Sequence, residues 1–247
     1  MKKNIISDII KNKEKLLKLK KNDSLSVFKR KSFFLIGEIK ISSPSTGVIN
    51  PNLNVKTQVE AYEKGGASAI SVVTEECFFG GSLELLKKVK ELTNLPILRK
   101  DFIIDKLQIY ESFFYGADIL LLISSILSLA KLKSFIRLCQ DLGLTPLVEV
   151  HTEEDLEKAF KAGARLIGIN NRNLETLEVS IENTLKLMPI LNRFSKNKDI
   201  LVISESGISS REDVKLLKSI GVNGILVGFS LLTAEDPLRK IKELLEP

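Results

Sequence analysis

The sequence predicts an α/β protein, a single (β/α)₈ barrel with an N-terminal helical extension. The chain has 247 residues, close to the length of about 250 that is typical of one such barrel. Short apolar runs rich in β-branched residues begin near residues 33, 69, 96, 118, 145, 166, 200 and 223, and a helical pattern follows each one. This alternation implies parallel strands joined by right-handed crossovers.

The eight predicted strands are apolar runs that end at polar or turn residues. They are Phe33–Ile36, Ala69–Thr74, Pro96–Arg99, Asp118–Ile123, Thr145–Val148, Leu166–Ile169, Ile200–Ile203 and Gly224–Val227. The competing architecture, an open doubly wound sheet, is disfavoured because no GxGxxG loop follows the first strand.

The predicted helices have amphipathic spacing, and several end at a glycine, which is a common helix stop. They are Asn54–Lys64, Leu83–Leu92, Lys106–Phe114, Leu127–Leu142, Glu153–Lys161, Ile181–Leu191, Arg211–Ile220 and Pro237–Leu245. Eight strands and eight helices together complete one barrel over residues 32–247.

The N-terminal segment, residues 1–31, is set apart by its charge. It carries eleven basic and three acidic residues, a net +8 against +6 for the whole chain. Its isoleucines and leucines recur at roughly helical spacing, which predicts an amphipathic helix packed on the barrel with its lysines in solvent. Binding to nucleic acid or a membrane is the alternative, but interleaved aromatic residues are missing.

The sequence gives no sign of export, membrane insertion or metal binding. Met1-Lys2-Lys3 resembles the start of a signal peptide, but charged residues such as Asp8 and Glu14 interrupt any apolar region. The most apolar run, Ile119–Ile123, is too short to span a bilayer. Cys77 and Cys139 lack metal-binding or redox spacing and suit free thiols. We therefore expect a cytoplasmic protein without a metal site.

The first strand introduces the predicted site. Because successive strand side chains point to opposite faces, Glu38 and Lys40 share one face. Ser42, Ser43, Pro44, Ser45 and Gly47 follow as a loop with hydrogen-bonding groups. On this segment alone, a surface ion pair beside a turn explains the pattern equally well.

Every other predicted strand also runs into polar residues. The strand ends carry Glu38 and Lys40, Thr74 and Glu75, Lys100 and Asp101, Ser124 and Ser125, Glu149, Asn170 and Arg172, Glu205 and Ser206, and Gly228 and Ser230. The C-terminal ends of barrel strands meet at one face, where the active sites of this fold lie. The sequence therefore predicts a single polar mouth.

The last two strand ends have the composition of a phosphate site. Ser206-Gly207 and Gly228-Phe229-Ser230 each precede a predicted helical turn, where backbone N–H groups and the helix dipole favour anions. Phe79 and Phe102 lie beside the mouth and either stack on a planar ligand or belong to the core. His151 has no partner in the sequence and is interpreted as a loop residue.

These motifs, taken together, resemble the indole-3-glycerol-phosphate synthase family of tryptophan biosynthesis. The motifs are Glu38-Ile-Lys40 with Ser43-Pro44-Ser45, Phe79 with Gly81-Ser82, Lys100-Asp101-Phe102, Glu149-Val-His151, Ile169-Asn170-Asn171-Arg172-Asn173-Leu174, Glu205-Ser206-Gly207-Ile208 and Gly228-Phe-Ser230. Asn171, Asn173 and Phe229 depart slightly from the family pattern, but only beside its functional positions. The resemblance runs from the basic leader to the last helix.

The resemblance implies ring closure of 1-(2-carboxyphenylamino)-1-deoxyribulose 5-phosphate to indole-3-glycerol phosphate, with loss of carbon dioxide and water. Lys100 is implied as the acid that protonates the developing alkoxide, and Glu149, helped by Glu38 and Lys40, as the group that serves the dehydration. No cofactor is implied, because the cationic ring intermediate is itself the electron sink.

The remaining implied roles concern binding. Lys40, Ser43 and Asn170 would engage the substrate carboxylate, Arg172 and Glu205 would shape and polarise the site, Ser206, Gly207, Gly228 and Ser230 would hold the phosphate, and Ser45, Phe79 and Phe102 would complete the substrate contacts. We expect a monomer that binds neither nucleic acid nor membrane, with association with other pathway enzymes left open.

Two rival functions remain at this point. A sugar-phosphate isomerase would share the phosphate site, but the additional lysines and flanking aromatics favour an aromatic substrate. A barrel that binds nucleic acid through its basic leader would show steeply salt-dependent binding. That function leaves the polar strand ends without an explanation.

Overall fold

The computed structural model describes residues 24–173, 176–194 and 199–246. Its centre is a closed barrel of eight parallel strands, in which each strand pairs with the next along the chain and the eighth pairs with the first. The predicted fold class is therefore confirmed. None of the helices in the described ranges is long and apolar enough to cross a membrane.

The strands and helices alternate as the sequence predicts. The strands are β1 Phe34–Ile39, β2 Ala69–Val73, β3 Ile97–Lys100, β4 Ile119–Ile123, β5 Thr145–Val150, β6 Leu166–Asn170, β7 Leu201–Glu205 and β8 Gly224–Val227. The helices that follow them are α1 Val55–Gly65, α2 Leu83–Leu92, α3 Lys106–Tyr115, α4 Leu129–Asp141, α5 Glu153–Ala162, α6 Glu182–Phe194, α7 Arg211–Ser219 and α8 Pro237–Leu245. Boundaries coincide with the predicted ones or differ from them by at most three residues.

Three short elements lie outside the eight strand–helix units. A helix at Ser24–Lys29 falls within the predicted N-terminal extension, a one-turn helix at Phe229–Leu232 follows β8, where a helical turn was predicted, and a two-stranded hairpin pairs Ser42–Ser43 with Gly47–Val48. The hairpin forms in the Ser/Pro/Gly loop after β1, where the sequence predicts only turn structure.

Alternation along the strands divides the apolar side chains into two cores. One core lies between the strands and the outer helices and contains, for example, Leu35, Ile70 and Val148. The other fills the barrel interior with Phe34, Ile36 and residues from the neighbouring strands. Because both faces of every strand are covered, the strands read as nearly continuous apolar runs.

The short N-terminal helix closes the bottom of the barrel, at the N-terminal ends of the strands. Phe28 is 1% exposed, belongs to the interior core and stacks on Phe34, with ring centroids 4.4 Å apart. Lys29 pairs with Asp199, which lies just before β7. Residues 1–23, which hold most of the predicted basic extension, lie outside the described residues. Of the predicted extension, the structure describes residues 24–31, in which Phe28 packs on the barrel interior.

Candidate active site

The same alternation that builds the interior core places charged groups at its top. In β1 the inward positions run Phe34, Ile36 and then Glu38, and in β3 Leu98 is followed by Lys100. Glu149, Asn170 and Glu205 follow inward Leu147, Leu166 and Ile203 at even spacing in their own strands. Every second residue of a strand faces inward, so polar residues at the last inward positions form a floor above the apolar interior while the strands keep their conformation.

A cavity of about 360 Å³ opens above this floor. Most of the predicted site residues line it. They are Glu38, Lys40, Phe79, Lys100, Phe102, Glu149, Asn170, Arg172, Ser206, Gly207, Gly228 and Ser230. The predicted convergence of strand ends is thus present in the structure.

Two ammonium groups and three carboxylates form the charged centre. Lys100 Nζ donates to Glu149 Oε2 at 3.0 Å and to Glu205 Oε2 at 3.3 Å. Lys40 Nζ lies 2.8 Å from Glu38 Oε1. The carboxylates are almost completely buried, so a missing partner would leave a charge in a region of low dielectric.

The three carboxyl groups differ in the direction in which their pKa values are shifted. Burial alone would raise the pKa of Glu38, but the ammonium groups of Lys40 and Lys100 hold it below its usual range. The pKa of Glu149 is likewise lowered by Lys100 against the effect of burial. Burial and the nearby negative charge of Glu149 instead raise the pKa of Glu205 to about 8, despite its contact with Lys100.

The charges of this cluster balance when one carboxyl group keeps its proton. Two ammonium groups neutralise two carboxylates, and Glu205 is the third carboxyl group. Burial alone would lower the pKa of Lys100, but Glu149, Glu205 and Glu38 together raise it above the usual value. At neutral pH the cluster is therefore neutral as a whole, with a charged Lys100 at its centre.

Glu205 lies below the cavity and does not line it. Its side chain is 1% exposed, and a Cβ atom at Gly168 of the neighbouring strand would lie 1.9 Å from Glu205 Oε1. Only glycine leaves room for this carboxyl group. The structure thus places Glu205, predicted as catalytic, in contact with Lys100 and outside the lining of the cavity.

The predicted phosphate end has one free helix start. The one-turn helix Phe229–Leu232 begins at Gly228 without a side-chain cap, and Gly207, Gly228 and Ser230 line the cavity beside it. At α7 the N–H groups of Ser209 and Ser210 both donate to Asp213 Oδ2 at 2.9 Å. These two N–H groups just before α7 therefore already have an acceptor, and the contribution of the α7 start to phosphate binding stays a prediction.

The aromatic residues are fixed through their backbones. Glu75 accepts hydrogen bonds from the N–H groups of Cys77, Phe78 and Phe79. Asp101 accepts one from the Phe102 N–H at 2.8 Å and is itself held by Arg99 at 2.9 Å. Both rings therefore sit at defined positions on the cavity wall.

Asn170 and its neighbours connect the floor to the phosphate end. Asn170 Oδ1 accepts from Ser206 Oγ at 2.9 Å and from the Arg172 N–H at 3.0 Å. The amide of Asn171 donates to Ser204 Oγ and to the Ser206 carbonyl, both at 3.0 Å. These bonds hold Ser206, whose φ of 69° is in the left-handed region.

Two predicted binding residues lie elsewhere. Ser43 and Ser45 belong to the hairpin after β1, and their hydroxyls interact with each other at 3.3 Å, while Ser43 also contacts Thr46 at 2.6 Å. Neither lines the cavity. The hairpin turns their side chains toward one another, which the sequence pattern did not reveal.

Some residues of the site were not predicted. His151 Nε2 lies 3.3 Å from Glu149 Oε1, and the two residues are separated by two positions, so strand alternation was the signal that linked them. Asp213 caps α7 in a Ser210-x-x-Asp213 pattern that is a recognised capping signature. The anchoring roles of Arg99 and Asn171 had no comparable signal.

Candidate metal sites are absent from the described part of the chain, where no group of three or more His, Cys, Asp or Glu side chains is arranged to hold an ion. Cys77 is exposed and Cys139 is buried, and both are free thiols.

Comparison with known proteins shows the family of the chain. The family model described as indole-3-glycerol phosphate synthase matches residues 4–244. The indole-3-glycerol phosphate synthase of Petrotoga mobilis is 46% identical over 96% of this chain and 92% of its own, and that of Aquifex aeolicus is 50% identical over 85% and 80%.

Solved structures provide a comparison of the fold alone. The 3-hexulose-6-phosphate synthase of Salmonella typhimurium superposes with a TM-score of 0.65 at 16% identity, covering 86% of this chain and 98% of its own. The thiamine phosphate pyrophosphorylase of Pyrococcus furiosus gives a TM-score of 0.62 at 19% identity, covering 87% and 95%.

Proposed function

The chain belongs to the indole-3-glycerol phosphate synthase family, and from the geometry of its cavity we propose how its residues carry out the reaction. It is a carboxy-lyase of tryptophan biosynthesis. It converts 1-(2-carboxyphenylamino)-1-deoxyribulose 5-phosphate to indole-3-glycerol phosphate, carbon dioxide and water. The observation that supports our assignment of roles is the Lys100 ammonium, held between Glu149 and Glu205 on the cavity floor.

Lys100 is the acid of ring closure. Attack of the aromatic carbon on the ketone places negative charge on the ketone oxygen, and an alkoxide is a much stronger base than an amine. A lysine whose pKa is raised by surrounding carboxylates can therefore still protonate it. Before transfer, the positive charge of Lys100 also stabilises the developing anion. Glu205 beneath Lys100 fixes the position of the ammonium group.

Glu149 is the first choice for proton transfer in the dehydration. Its lowered pKa keeps it ionised, as a base must be, and it lies beside Lys100 on the floor. The Glu38–Lys40 pair lines the same cavity and supplies a second carboxylate and ammonium at 2.8 Å separation. We propose that this pair assists departure of the hydroxyl group.

The two ends of the substrate are held by different chemistry. The phosphate binds at Ser206, Gly207, Gly228 and Ser230, where small residues and an uncapped helix start suit an anion. The anthranilate ring stacks against Phe79 and Phe102. Lys40 and Asn170 bind its carboxylate, while Arg172 shapes the rim. Ser43 and Ser45 contribute only if the hairpin moves toward the bound substrate.

We further propose that the protein works in the cytoplasm as a monomer, without a cofactor and without binding nucleic acid or a membrane. Free cysteines suit a reducing compartment. Light scattering at micromolar concentration, with and without the neighbouring pathway enzymes, tests the monomer and their association.

The experiment that tests the function uses the purified protein and its substrate. Indole fluorescence is followed without added metal or cofactor, with and without a chelator. We expect product formation in both samples. Absence of the indole product would contradict the proposal, and appearance of an isomerised sugar phosphate would support the isomerase instead.

A further inference from the structure

We propose that His151 is a proton relay that returns a proton to the Glu149–Lys100 pair from a second cavity on the outside of the barrel mouth. This inference rests on the function proposed above, because it takes Lys100 as the acid and Glu149 as its neighbour. It goes beyond that function by assigning a route for the proton that each turnover consumes.

Atom balance requires such a route. The substrate carboxylate leaves as carbon dioxide, and its bonding electron pair stays on the ring. The ketone oxygen leaves as water, which carries two protons. One of them comes from the methylene carbon that becomes part of the indole ring. The other has no source in the substrate, so the enzyme takes up one proton from solution in every cycle.

The mouth is a poor entrance for this proton once substrate is bound. Glu149 is 2% exposed, and the groups that would carry a proton to it from the mouth line the cavity that the substrate fills. While substrate or product fills the cavity, Lys100 regains its proton only if another path exists.

His151 provides that path on the far side of Glu149. Glu149 uses Oε2 to accept from Lys100 at 3.0 Å, while its Oε1 lies 3.3 Å from His151 Nε2. The His151 side chain is 10% exposed, but both ring nitrogens are buried, and among the described residues neither has a hydrogen-bond partner of ordinary geometry. Imidazole groups exchange protons readily near neutral pH.

A second cavity of about 620 Å³ has His151 in its lining. It is also lined by Ser125, Thr152, Arg172, Glu182 and Lys186. Glu149 lines only the first cavity and His151 only the second, so this contact joins them. Ser125, Thr152 and Lys186 are exposed, which gives solvent access.

The position of His151 is held from both sides of its backbone. Its N–H donates to Asp155 Oδ2 at 3.2 Å, and its carbonyl accepts from Asn183 Nδ2 at 3.2 Å. The charged groups that surround the imidazole are Glu149 from β5, Asp155 from α5, Arg172 after β6, and Glu182 and Lys186 from α6.

In the relay, solvent protonates His151, His151 protonates Glu149, and Glu149 protonates the neutral Lys100 amine.

The test compares the first turnover with later turnovers in His151→Ala. The first turnover uses the proton already on Lys100, so its rate with excess enzyme stays that of the wild type. Steady-state kcat falls by at least about 10-fold. This loss is smaller than the roughly 10²–10⁴-fold loss of rate that is typical of removing a direct acid or base. KM is unchanged. A burst of one product per enzyme precedes the slow phase.

Added imidazole distinguishes a relay from a structural role. Added imidazole restores the steady-state turnover of His151→Ala, because the alanine leaves room for an imidazole molecule. It does not restore the turnover of His151→Phe, in which the phenylalanine ring fills that space. Ser125→Ala, in the same second cavity, is the matched control and keeps normal turnover. Thermal unfolding of each variant verifies that it is folded.

Two results would overturn the relay. One is an unchanged steady-state rate in both His151 variants. The other is an equal slowing of the first and later turnovers that imidazole does not restore, which would make His151 a positioning residue for Glu149. Glu149→Gln separates the two proposals, because normal activity there refutes the role of Glu149 itself, whereas an inactive Glu149→Gln beside a normal His151→Ala refutes only the relay.

Discussion

The two ends of the barrel interior are built from the same strands but filled with opposite chemistry. At the bottom, Phe28 and Phe34 stack over an apolar core. At the top, Glu38 and Lys100 lie two positions beyond the inward-facing Ile36 and Leu98 and form part of a floor of mostly buried charge. The strands are continuous from one end to the other, so the difference lies in the side chains and in the cavity that opens above the charged floor.

The comparison separates stability from catalysis. Burying a phenylalanine contributes to folding directly through apolar area and packing. Burying three carboxyl groups opposes folding, and it is tolerated here because two ammonium groups and one retained proton neutralise them. Changes at the bottom should therefore affect unfolding, and changes at the top should affect turnover and its dependence on pH.

The largest expected effect is at the top, in Lys100→Met. This change keeps most of the apolar stem and removes the ammonium, so ring closure should slow by the roughly 10²–10⁴-fold expected for loss of a general acid. Single-turnover fluorescence measures the rate, and circular dichroism verifies the fold.

Lys100→Arg is the matched variant. Guanidinium retains the positive charge but does not release a proton at neutral pH, so we expect it to remain impaired. Activity in the arginine variant would make Lys100 an electrostatic stabiliser whose proton comes from elsewhere, and near-normal turnover in the methionine variant would transfer the acid role to Lys40.

The next largest effect is at the bottom, in Phe28→Ala. Removing a fully buried phenylalanine that stacks on Phe34 should lower the free energy of unfolding by about 3–5 kcal/mol. Because the ring lies at the opposite end from the cavity, kcat and KM of the folded protein should not change. Urea unfolding and steady-state kinetics measure the two quantities.

Phe114→Ala is the control for this change, because Phe114 is 75% exposed and its removal should hardly alter unfolding. If Phe28→Ala changed kcat as strongly as it changed stability, the two ends of the barrel would be coupled, and the separation drawn above would be wrong.

A smaller effect is expected at the phosphate end in Gly228→Asp. The new carboxylate would repel the substrate phosphate and block the approach of its oxygens to the backbone. Loss of a hydrogen bond to a charged group is worth about 1.5–3 kcal/mol, so the substrate should bind roughly 10–100-fold more weakly. Inorganic phosphate, which should compete with substrate in the wild type, should compete less well. Calorimetric titration measures both.

Two controls isolate the charge. Gly228→Ala adds only a Cβ, which would lie 2.6 Å from Glu38 Oε1, and measures the effect of volume. Asn223→Asp places a carboxylate at the other end of the same strand, where Asn223 accepts from the Val202 N–H. Unchanged affinity in Gly228→Asp would remove the phosphate from this end of the barrel.

Sequence patterns revealed the barrel because each strand and its helix carry their own local signals, and strand alternation revealed the polar mouth. These patterns did not predict which side chains already use their hydrogen-bonding groups within the protein. Asp213 accepts hydrogen bonds from the N–H groups of Ser209 and Ser210 just before α7, and the Ser43 hydroxyl bonds within its own hairpin. The burial of Glu205 depends on Gly168 in a neighbouring strand, and contacts between distant residues leave no trace in local spacing.

The last effect concerns Glu205→Gln and its dependence on pH. The pKa of Glu205 is raised to about 8 in the folded protein, whereas an unfolded glutamate titrates near about 4.3. Between these values the folded state holds one more proton than the unfolded state, so this group's contribution to stability falls as the pH rises. The fall is about 1.4 kcal/mol per pH unit, is absent below pH of about 4.3 and is complete above about 8.

Glutamine cannot titrate, so the difference in unfolding free energy between Glu205→Gln and the wild type should shift in favour of the variant from pH 5.5 to pH 7.5. Urea titrations at both pH values measure it, and subtraction of the wild type cancels the other ionisable groups. Glu60→Gln, at an exposed position on α1, is the control and should show no such shift. A pH-independent difference for Glu205→Gln would mean that Glu205 is ionised in the folded protein, and the proton that balances the charged floor would then have to reside on another group.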